Sequence, residues 1–408
     1  MQTLLLCSFA FFLNSSSCTA VKTTNSTSFT EPRKHYVEKN SIAWDDRPKD
    51  NQAFVNPDSI AEISVCVVGD LMCHKQQIAN AKTENGYDFT AYYELVKGYI
   101  GEADFAIGNL ELTCAGSERG FSGYPSFNAP DEYVSALKSA GFDFLVTSNN
   151  HSMDMGEKGL LRTIDQIKKN KLGYTGTFAS QGDHDSIRLL NTKGISIAVL
   201  NYTYGTNGSY PENGHEYMLN LIDSAKIVYD IQHAKKLNPD FIMVFYHFGA
   251  EYNPDPNESQ KNAVRWAHRA GANLIIGGHP HVVGPCEWLL PNKDNPDSAF
   301  VSWTMGNYVS NMTKRYTDAG VMITLRLSKN SNNNKKSVKA EFVPTWVYKG
   351  EHTQKKSHVV FPSEFSLMKD KIPYYIDSTM TKKMQQAFED TKSVVNKNKA
   401  KIPIRSFR

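Results

Sequence analysis

Short apolar runs alternate with amphipathic stretches from residue 62 to residue 279, and this alternation constrains the fold of the 408-residue chain most strongly. Six short runs are β-branched or apolar, as buried strands are: 63–70, 103–109, 142–150, 195–202, 240–247 and 272–279. Five helical patterns lie between them, at 89–100, 130–141, 156–170, 221–236 and 258–271. Such alternation predicts an α/β layered domain with a largely parallel sheet.

The pattern changes after residue 298, where strand-like segments follow one another without intervening helices. They are AFVSWTMGNYVSN, AGVMITLRLS and VKAEFVPTWVYKG. We expect them to form a second sheet that packs on the first, which closes a folded domain over residues 61–348. Residues 349–408 form a lysine-rich C-terminal extension, with one helix expected near 379–395.

The N-terminus has the pattern of a targeting segment. Residues 4–13 form an apolar run that is too short to cross a bilayer and suits the core of a signal peptide. Small residues then lead to Cys18, as in a loose lipobox, although Ser15 stands where a lipobox usually has leucine. We therefore expect a signal peptide at 1–18, export to the cell envelope and a membrane anchor through lipidation of Cys18. The polar residues 19–60 would form a tether.

The overall charge bears on the class of partner. The formal net charge is only +3, which gives no reason to expect a nucleic-acid partner. Lysines are nevertheless concentrated in two segments, 333–340 and 381–408. A basic tail could hold a polyanion electrostatically, whereas the ordinary interpretation of a lysine run is a solvated face.

Polar residues of metal-binding type follow five of the six predicted α/β strands. They are Asp70, Asn109, Glu111, Asn149, Asn150, His151, His247, His279 and His281. Singly, each has an ordinary alternative as a helix cap, a turn former or a hydrogen-bonded core histidine. Together they favour a ligand site, because ligands of α/β sheets bind at the carboxyl ends of strands. This mixture of imidazole and carboxylate donors suits one or two divalent transition metals.

The segment GGHPH, residues 277–281, holds two of these histidines. Side chains at positions i and i+2 of an extended segment point the same way, so His279 and His281 would face one site together. Pro280 restricts the residue before it to extended geometry and would support that arrangement.

Six motifs occur in an order that resembles the CapA capsule-synthesis family, also called the poly-γ-glutamate biosynthesis family: VVGDLM, IGNLE, TSNNHSMDMGEKGL, YHFGAEY, GGHPHVV and TMGNYV. That family belongs to the calcineurin-like metallophosphoesterase superfamily, and the resemblance covers about residues 62–348. It implies a four-layer α/β sandwich, in which two mixed β-sheets are flanked by helices. It also implies a dinuclear site for Mn, Fe or Zn at one edge.

The resemblance assigns Asp70 and His281 to the first metal, and it leaves open whether Asn109 or Glu111 bridges the two metals. The superfamily's opening motif is Asp-x-His, whereas Met72 stands at the histidine position here. Methionine is a poor ligand for a hard metal, so His74 is a candidate replacement.

The second metal has its own set in the same resemblance: Asn150, His247 and His279. His151 is the residue that would protonate the leaving group. Glu251, Tyr252 and Asn307 are expected to line the substrate pocket.

Two functions fit these residues. The first is an exported, metal-dependent hydrolase of capsule biosynthesis, acting on a phosphoester or on a γ-glutamyl polymer. The second is an accessory protein that binds or helps to export a polyanionic capsule polymer without turning it over. Met72 favours the second function, and the intact NNH and HPH motifs favour the first.

Overall fold

Two large β-sheets carry the fold in the computed structural model, which describes residues 41–44, 60–352, 355–367 and 374–405. The first sheet has seven strands, in the spatial order β1 (Ser41–Trp44), β8 (Ile187–Thr192), β9 (Ile195–Thr203), β10 (Phe241–His247), β11 (Leu274–Gly278), β13 (Ala299–Ser302) and β12 (Cys286–Leu289). Its central strands β9, β10, β11 and β13 run parallel, and β8 and β12 join antiparallel.

The second sheet has eight strands and is also mixed. Its order is β17 (Lys355–Pro362), β16 (Lys336–His352), β15 (Ala319–Asn330), β2 (Ile60–Leu71), β5 (Phe105–Leu110), β6 (Phe144–Val146) and β7 (Gly173–Thr175), with β14 (Asn307–Val309) beside β2. The half from β2 to β7 is parallel, and β15, β16 and β17 are antiparallel. A separate small ribbon pairs β3 (Lys82–Thr83) with β4 (Gly86–Tyr87).

Eight α-helices accompany the sheets in the described part of the chain. They are α1 (Lys75–Ala81), α2 (Lys97–Gly101), α3 (Glu132–Ala140), α4 (Gly156–Lys169), α5 (Gln181–His184), α6 (Ser224–Lys236), α7 (Glu258–Ala270) and α8 (Ser378–Val395). None of the helices among these residues combines the length and the apolar character needed to cross a bilayer.

Three apolar clusters show how the layers stack. One lies between the sheets, where Val67 and Ile107 of the second sheet meet Val199 and Ile276 of the first. A second holds α3 and α4 against the outer face of the second sheet, and a third holds α6 and α7 against the first sheet. Helix, sheet, sheet and helix therefore form the predicted four-layer sandwich.

The division of strands between the sheets differs from the expectation. The strands after residue 298 do not form a second sheet of their own, because β13 joins the first sheet and β15 joins the second beside β2. An apolar period shows that a segment is a strand and not which edge it joins. The antiparallel edge of β2 is filled by β15 over nine residue pairs, from Met322↔Val68 to Asn330↔Ile60.

Two predicted elements are shorter in the structure. The helix expected at 89–100 is a 3₁₀ turn at Thr90–Tyr93 followed by the single-turn helix α2. The strand expected at 142–150 is only Phe144–Val146, because the chain leaves the sheet there to form a loop. Asn201 fixes that loop, since its Oδ1 accepts hydrogen bonds from the backbone N–H groups of Thr147 (3.1 Å) and Ser148 (2.6 Å).

The C-terminal region packs on the second sheet. The predicted boundary between residues 348 and 349 falls inside β16, and α8 covers an apolar cluster that includes Trp346 and Phe361. The predicted signal peptide, Cys18 and most of the predicted tether (19–60) lie outside the described residues.

Candidate metal centre

The ends of four strands bring the predicted ligands together. Asp70 lies at the end of β2, paired with Asn109 of β5, and His247 ends β10, paired with Gly278 of β11. A Cβ on Gly278 would lie 2.7 Å from Asp70 Oδ1 and 3.2 Å from Asn109 Nδ2. Only glycine therefore allows the backbone of β11 to approach the polar group so closely.

Asn109 links the side chains around it through its amide. Its Nδ2 donates to Asp70 Oδ1 at 2.7 Å and lies 3.0 Å from His247 Nδ1. Its Oδ1 accepts a hydrogen bond from Asn149 Nδ2 at 3.3 Å. Both ends of the Asn109 amide are thus engaged with protein groups.

The Glu111 carboxylate is available to bind a ligand. It is fully buried, and neither of its oxygens has a hydrogen-bond partner among the described residues. Its Oε1 lies 3.4 Å from His247 Nε2 and 3.9 Å from His281 Nε2. Burial, and then the charge of Asp70, raise the pKa of Glu111 well above its usual value. A buried carboxylate without partners is costly, and a metal ion would satisfy it.

Two donor groups share Glu111. The first donor group consists of Asp70, Glu111 and His281, and the second consists of Glu111, His247 and His279; within each group the donor atoms lie within 4.8 Å of one another. All five residues are buried. Together with the open oxygens of Glu111 and the unpartnered Nδ1 of His279, this arrangement fits two metal ions with Glu111 between them.

The pKa values of the three histidines are shifted in different directions. Burial lowers the pKa of His247 to about 3, and burial with the neighbouring imidazoles lowers that of His279 to about 2. For His281, burial is outweighed by the charges of Glu111 and Asp70, which raise its pKa to about 9. For Asp70, the hydrogen bond with His281 and the charge of His247 outweigh burial and lower the pKa to about 2.

The backbone of the HPH segment is not extended as expected. His279 has φ 97° and His281 has φ 57°, so both lie in the left-handed region that non-glycine residues avoid. Their rings still converge, with centroids 5.9 Å apart. The i, i+2 rule of extended chains therefore does not place these rings. They are placed by a strained turn, a feature that clusters at functional sites.

Asn150 and His151 occupy the loop after β6. Asn150 Oδ1 lies 2.6 Å from His247 Nε2, which puts Asn150 with the second donor group. His151 Nδ1 lies 2.7 Å from Asp154 Oδ2, and the same oxygen accepts the Phe127 N–H at 2.6 Å. Burial works against a charged His151, but the Asp154 hydrogen bond and the Glu111 charge raise its pKa.

His74 belongs to none of these donor groups. It stands just before α1, where its Nδ1 is 3.2 Å from Gln77 Oε1 and accepts the Asn311 N–H at 3.3 Å. Burial lowers the pKa of His74 to about 4. The structure therefore holds its Nδ1 in local contacts.

The three predicted pocket residues lie in two places. Glu251 and Tyr252 are exposed in the loop after β10, and the Tyr252 ring is 6.4 Å from that of His281. Asn307 is fully buried, and its Oδ1 lies 3.0 Å from His281 Nδ1 while its Nδ2 donates to the Thr317 carbonyl at 2.9 Å. The structure places Asn307 behind His281, as a support for the ring.

Sequence reasoning missed two residues at the site. Tyr204 follows β9, the one predicted strand without a metal-type residue at its end, and its ring is 4.6 Å from that of His279. Asp154 stands three residues after His151. The Tyr204 signal was an aromatic residue at the right strand end, and the Asp154 signal was the acid inside the motif NNHSMD.

Curated relatives carry capsule-synthesis names. The chain is 27% identical over 271 residues to the PGA biosynthesis protein CapA of Bacillus subtilis, covering 66% of this chain and 68% of that protein. It is 28% identical over 286 residues to the capsule biosynthesis protein CapA of Bacillus anthracis, covering 66% of this chain and 65% of the relative.

Solved structures with a similar course of the chain are more distant. A Mycoplasma pneumoniae phosphatase aligns at a TM-score of 0.41 and 12% identity, over 73% of this chain and 96% of that one. The NAD nucleotidase of Haemophilus influenzae aligns at a TM-score of 0.44 and 13% identity, over 86% of this chain and 65% of that one. These similarities are too weak to bear on function.

A family model shows the family of the chain. Residues 64–312, more than half of the chain, match the model described as "Bacterial capsule synthesis protein PGA_cap". The matched range contains every residue of the two buried donor groups, together with Asn150 and His151. The predicted family is thereby confirmed, and the chain belongs to the bacterial capsule synthesis protein family PGA_cap.

Proposed function

We propose that this protein is an exported, metal-dependent hydrolase that acts in the synthesis of a capsule polymer. The observation that carries the proposal is the pair of donor groups that share Glu111, a buried carboxylate without hydrogen-bond partners. Protein interiors rarely keep such a group unless an ion or a reaction uses it.

The residues that would hold the first metal are Asp70, Glu111 and His281, and those for the second are Glu111, Asn150, His247 and His279. Bound Mn, Fe or Zn would supply a Lewis acid and lower the pKa of a coordinated water. Asn109 and Asn307 would orient Asp70 and His281 through their side-chain amides.

His151 would act as the general acid. Its Nδ1 is held by Asp154, so the proton delivered to a leaving group must depart from Nε2. The raised pKa of His151 keeps the ring protonated closer to neutral pH, which suits a group that has to give up a proton in each turnover.

The substrate would be a phosphoester or a γ-glutamyl polymer. The names of the two Bacillus relatives support a role in the synthesis of capsule material, and the chemistry of the donor groups supports hydrolysis.

The targeting pattern at residues 1–18 supports export to the cell envelope, with Cys18 as a lipid anchor. Cell fractionation tests this, since a Cys18→Ser variant should leave the membrane fraction. An unchanged membrane fraction would contradict the anchor.

A non-catalytic accessory role is the second candidate, and one observation favours it. Met72 replaces the histidine of the superfamily motif, so the first donor group has only three residues. A protein of this kind would bind a polyanionic polymer without cleaving it.

Activity measurements separate the two candidates. The protein would be stripped with a chelator, reloaded with Mn, Fe(II) or Zn, and assayed with p-nitrophenyl phosphate, bis-p-nitrophenyl phosphate and γ-linked oligoglutamate. We expect hydrolysis of at least one substrate class, reduced about 10²-fold or more by His151→Asn. His233→Asn on α6 is the matched control and should retain full activity. Metal-loaded protein that turns over neither class would favour the accessory role.

A further inference from the structure

A third donor group lies over the outer face of the candidate metal centre. It consists of Glu251, His279 and His281, whose donor atoms lie within 4.8 Å of one another. Glu251 is exposed, whereas the two histidines are buried. A carboxylate from the surface thus reaches the same imidazoles that belong to the two buried donor groups.

The loop of Glu251 is tied to the HPH turn by its backbone. The N–H of Tyr252 donates to the Pro280 carbonyl at 2.8 Å, and that of Phe248 donates to the Gly278 carbonyl at 3.1 Å. Tyr252 has φ 64°, in the same left-handed region as His279 and His281. The loop that carries Glu251 is therefore joined to the HPH turn by backbone hydrogen bonds, with strained residues on both sides of the Tyr252–Pro280 bond.

The two histidines have donor atoms that other contacts do not consume. His279 Nδ1 is buried without a hydrogen-bond partner, and His279 as a whole is 3% exposed. His281 Nδ1 is bonded to Asn307 and faces Asp70, so the Nε2 nitrogen is the one that faces Glu111. A buried imidazole nitrogen without a partner, in a donor group that also holds a carboxylate, is suited to bind a cation.

The first donor group is also short of residues. Asp70, Glu111 and His281 are its three members, and the family resemblance places Met72 where a fourth ligand would stand. His74, the candidate replacement, belongs to none of the donor groups, and its Nδ1 accepts the Asn311 N–H.

We propose that Glu251 is a further metal ligand, which closes the outer face of the centre and completes the donor set that Met72 leaves short. This inference rests on the metal centre of the proposed function. It assigns Glu251 a metal-binding role, in place of the pocket-lining role expected from the sequence.

Titration of the metal-free full chain with Mn²⁺, followed by electron paramagnetic resonance and by calorimetry, tests the assignment. We expect two equivalents to bind to the wild type. Glu251→Gln should weaken one equivalent at least about tenfold and leave the other within about twofold, since even the loss of an outer-shell partner costs 10–100-fold in affinity. Glu258→Gln, an exposed glutamate on α7, is the control and should bind as the wild type does.

The outcomes separate this inference from the proposed function. Two tight equivalents in both the wild type and Glu251→Gln would overturn the role of Glu251 and leave the metal centre intact. A wild type that binds no Mn²⁺, Fe²⁺ or Zn²⁺ would overturn both. Selective loss of one equivalent in Glu251→Gln, in a protein that hydrolyses no substrate, would support the ligand and contradict the hydrolase. Circular dichroism of each variant verifies that it is folded.

Discussion

Glu111 determines the character of the site at the scale of single residues. A carboxylate buried without hydrogen bonds keeps its charge only if a cation compensates it, and otherwise takes up a proton. The structure places two histidines within 4 Å of its Oε1, at 3.4 Å and 3.9 Å. The alternative bridge, Asn109, uses both ends of its amide in other contacts. Glu111 is therefore the residue that would be shared by the two bound metals of the proposed function.

Asp154 should act through His151, as a positioning residue. In Asp154→Asn the carboxylate that raises the His151 pKa is lost, so that pKa falls. Because His151 works in its protonated form, the basic limb of the pH–rate profile should move to lower pH, and kcat should fall by about tenfold or more with little change in KM.

Asp185→Asn is the matched control for this change. Asp185 Oδ1 lies 2.9 Å from His184 Nδ1, compared with 2.7 Å for Asp154 and His151, but it is outside the candidate site. Its loss should leave the profile unchanged. A profile that stays in place in Asp154→Asn would show that Asp154 has only a structural role.

Metal affinity should rise with pH, because imidazole ligands must be neutral. His247 and His279, with pKa values of about 3 and 2, are already neutral near pH 7. His281, with a pKa of about 9, is protonated there and must release its proton when a metal binds. Binding should therefore weaken up to about tenfold for each pH unit below 9. Calorimetry in two buffers of different ionisation enthalpy measures the released proton. Constant affinity from pH 6 to 9 would contradict this.

At the scale of elements, the strand ends were predictable and the turns between them were not. Runs such as 63–70 and 240–247 carry a continuous apolar signal, and the polar residue that ends each run shows where the sheet edge lies. The positive φ angles of His279 and His281 have no such signal, because histidine does not mark a left-handed turn as glycine does. The role of Asn307 was hidden for a related reason, since hydrogen bonds across 26 residues leave no local pattern.

Gly277 should tolerate no side chain. A Cβ there would lie 2.0 Å from the carbonyl oxygen of Trp303, a backbone atom that cannot rotate away. We expect Gly277→Ala to lower the free energy of unfolding by about 1–3 kcal/mol, measured by urea denaturation. Gly98→Ala on α2, where the new Cβ meets nothing within 4 Å, should be neutral or stabilising. Equal stability of the two variants would contradict the close approach of the strands.

At the scale of the whole molecule, the four layers follow from the alternation of strands and helices, but the assignment of late strands to sheets does not. No local sequence pattern shows that β15 pairs with β2. The paired residues of the two strands are more than 250 positions apart in the chain. Lysine content also gave no indication that the C-terminal helix has a buried side. In the structure, α8 places Met384 in a cluster with Trp346, Tyr348 and Phe361.

Met384 therefore tests whether the C-terminal region belongs to the folded body. Its side chain is fully buried, and Met384→Ala should cost about 2–5 kcal/mol of unfolding free energy. Gln385→Ala, at the neighbouring exposed position, should change stability by no more than about 0.5 kcal/mol. Urea unfolding of both variants provides the comparison. A Met384→Ala protein as stable as the wild type would mean that α8 contributes nothing to the fold.

The metal content of the purified protein tests the central claim most directly. We predict two transition-metal equivalents per chain by inductively coupled plasma mass spectrometry, and the loss of both in Glu111→Gln, because both donor groups share this carboxylate. Glu118→Gln, an exposed glutamate, should keep both equivalents. A wild type without metal after reloading, or a Glu111→Gln variant that keeps two equivalents, would contradict the shared dinuclear centre.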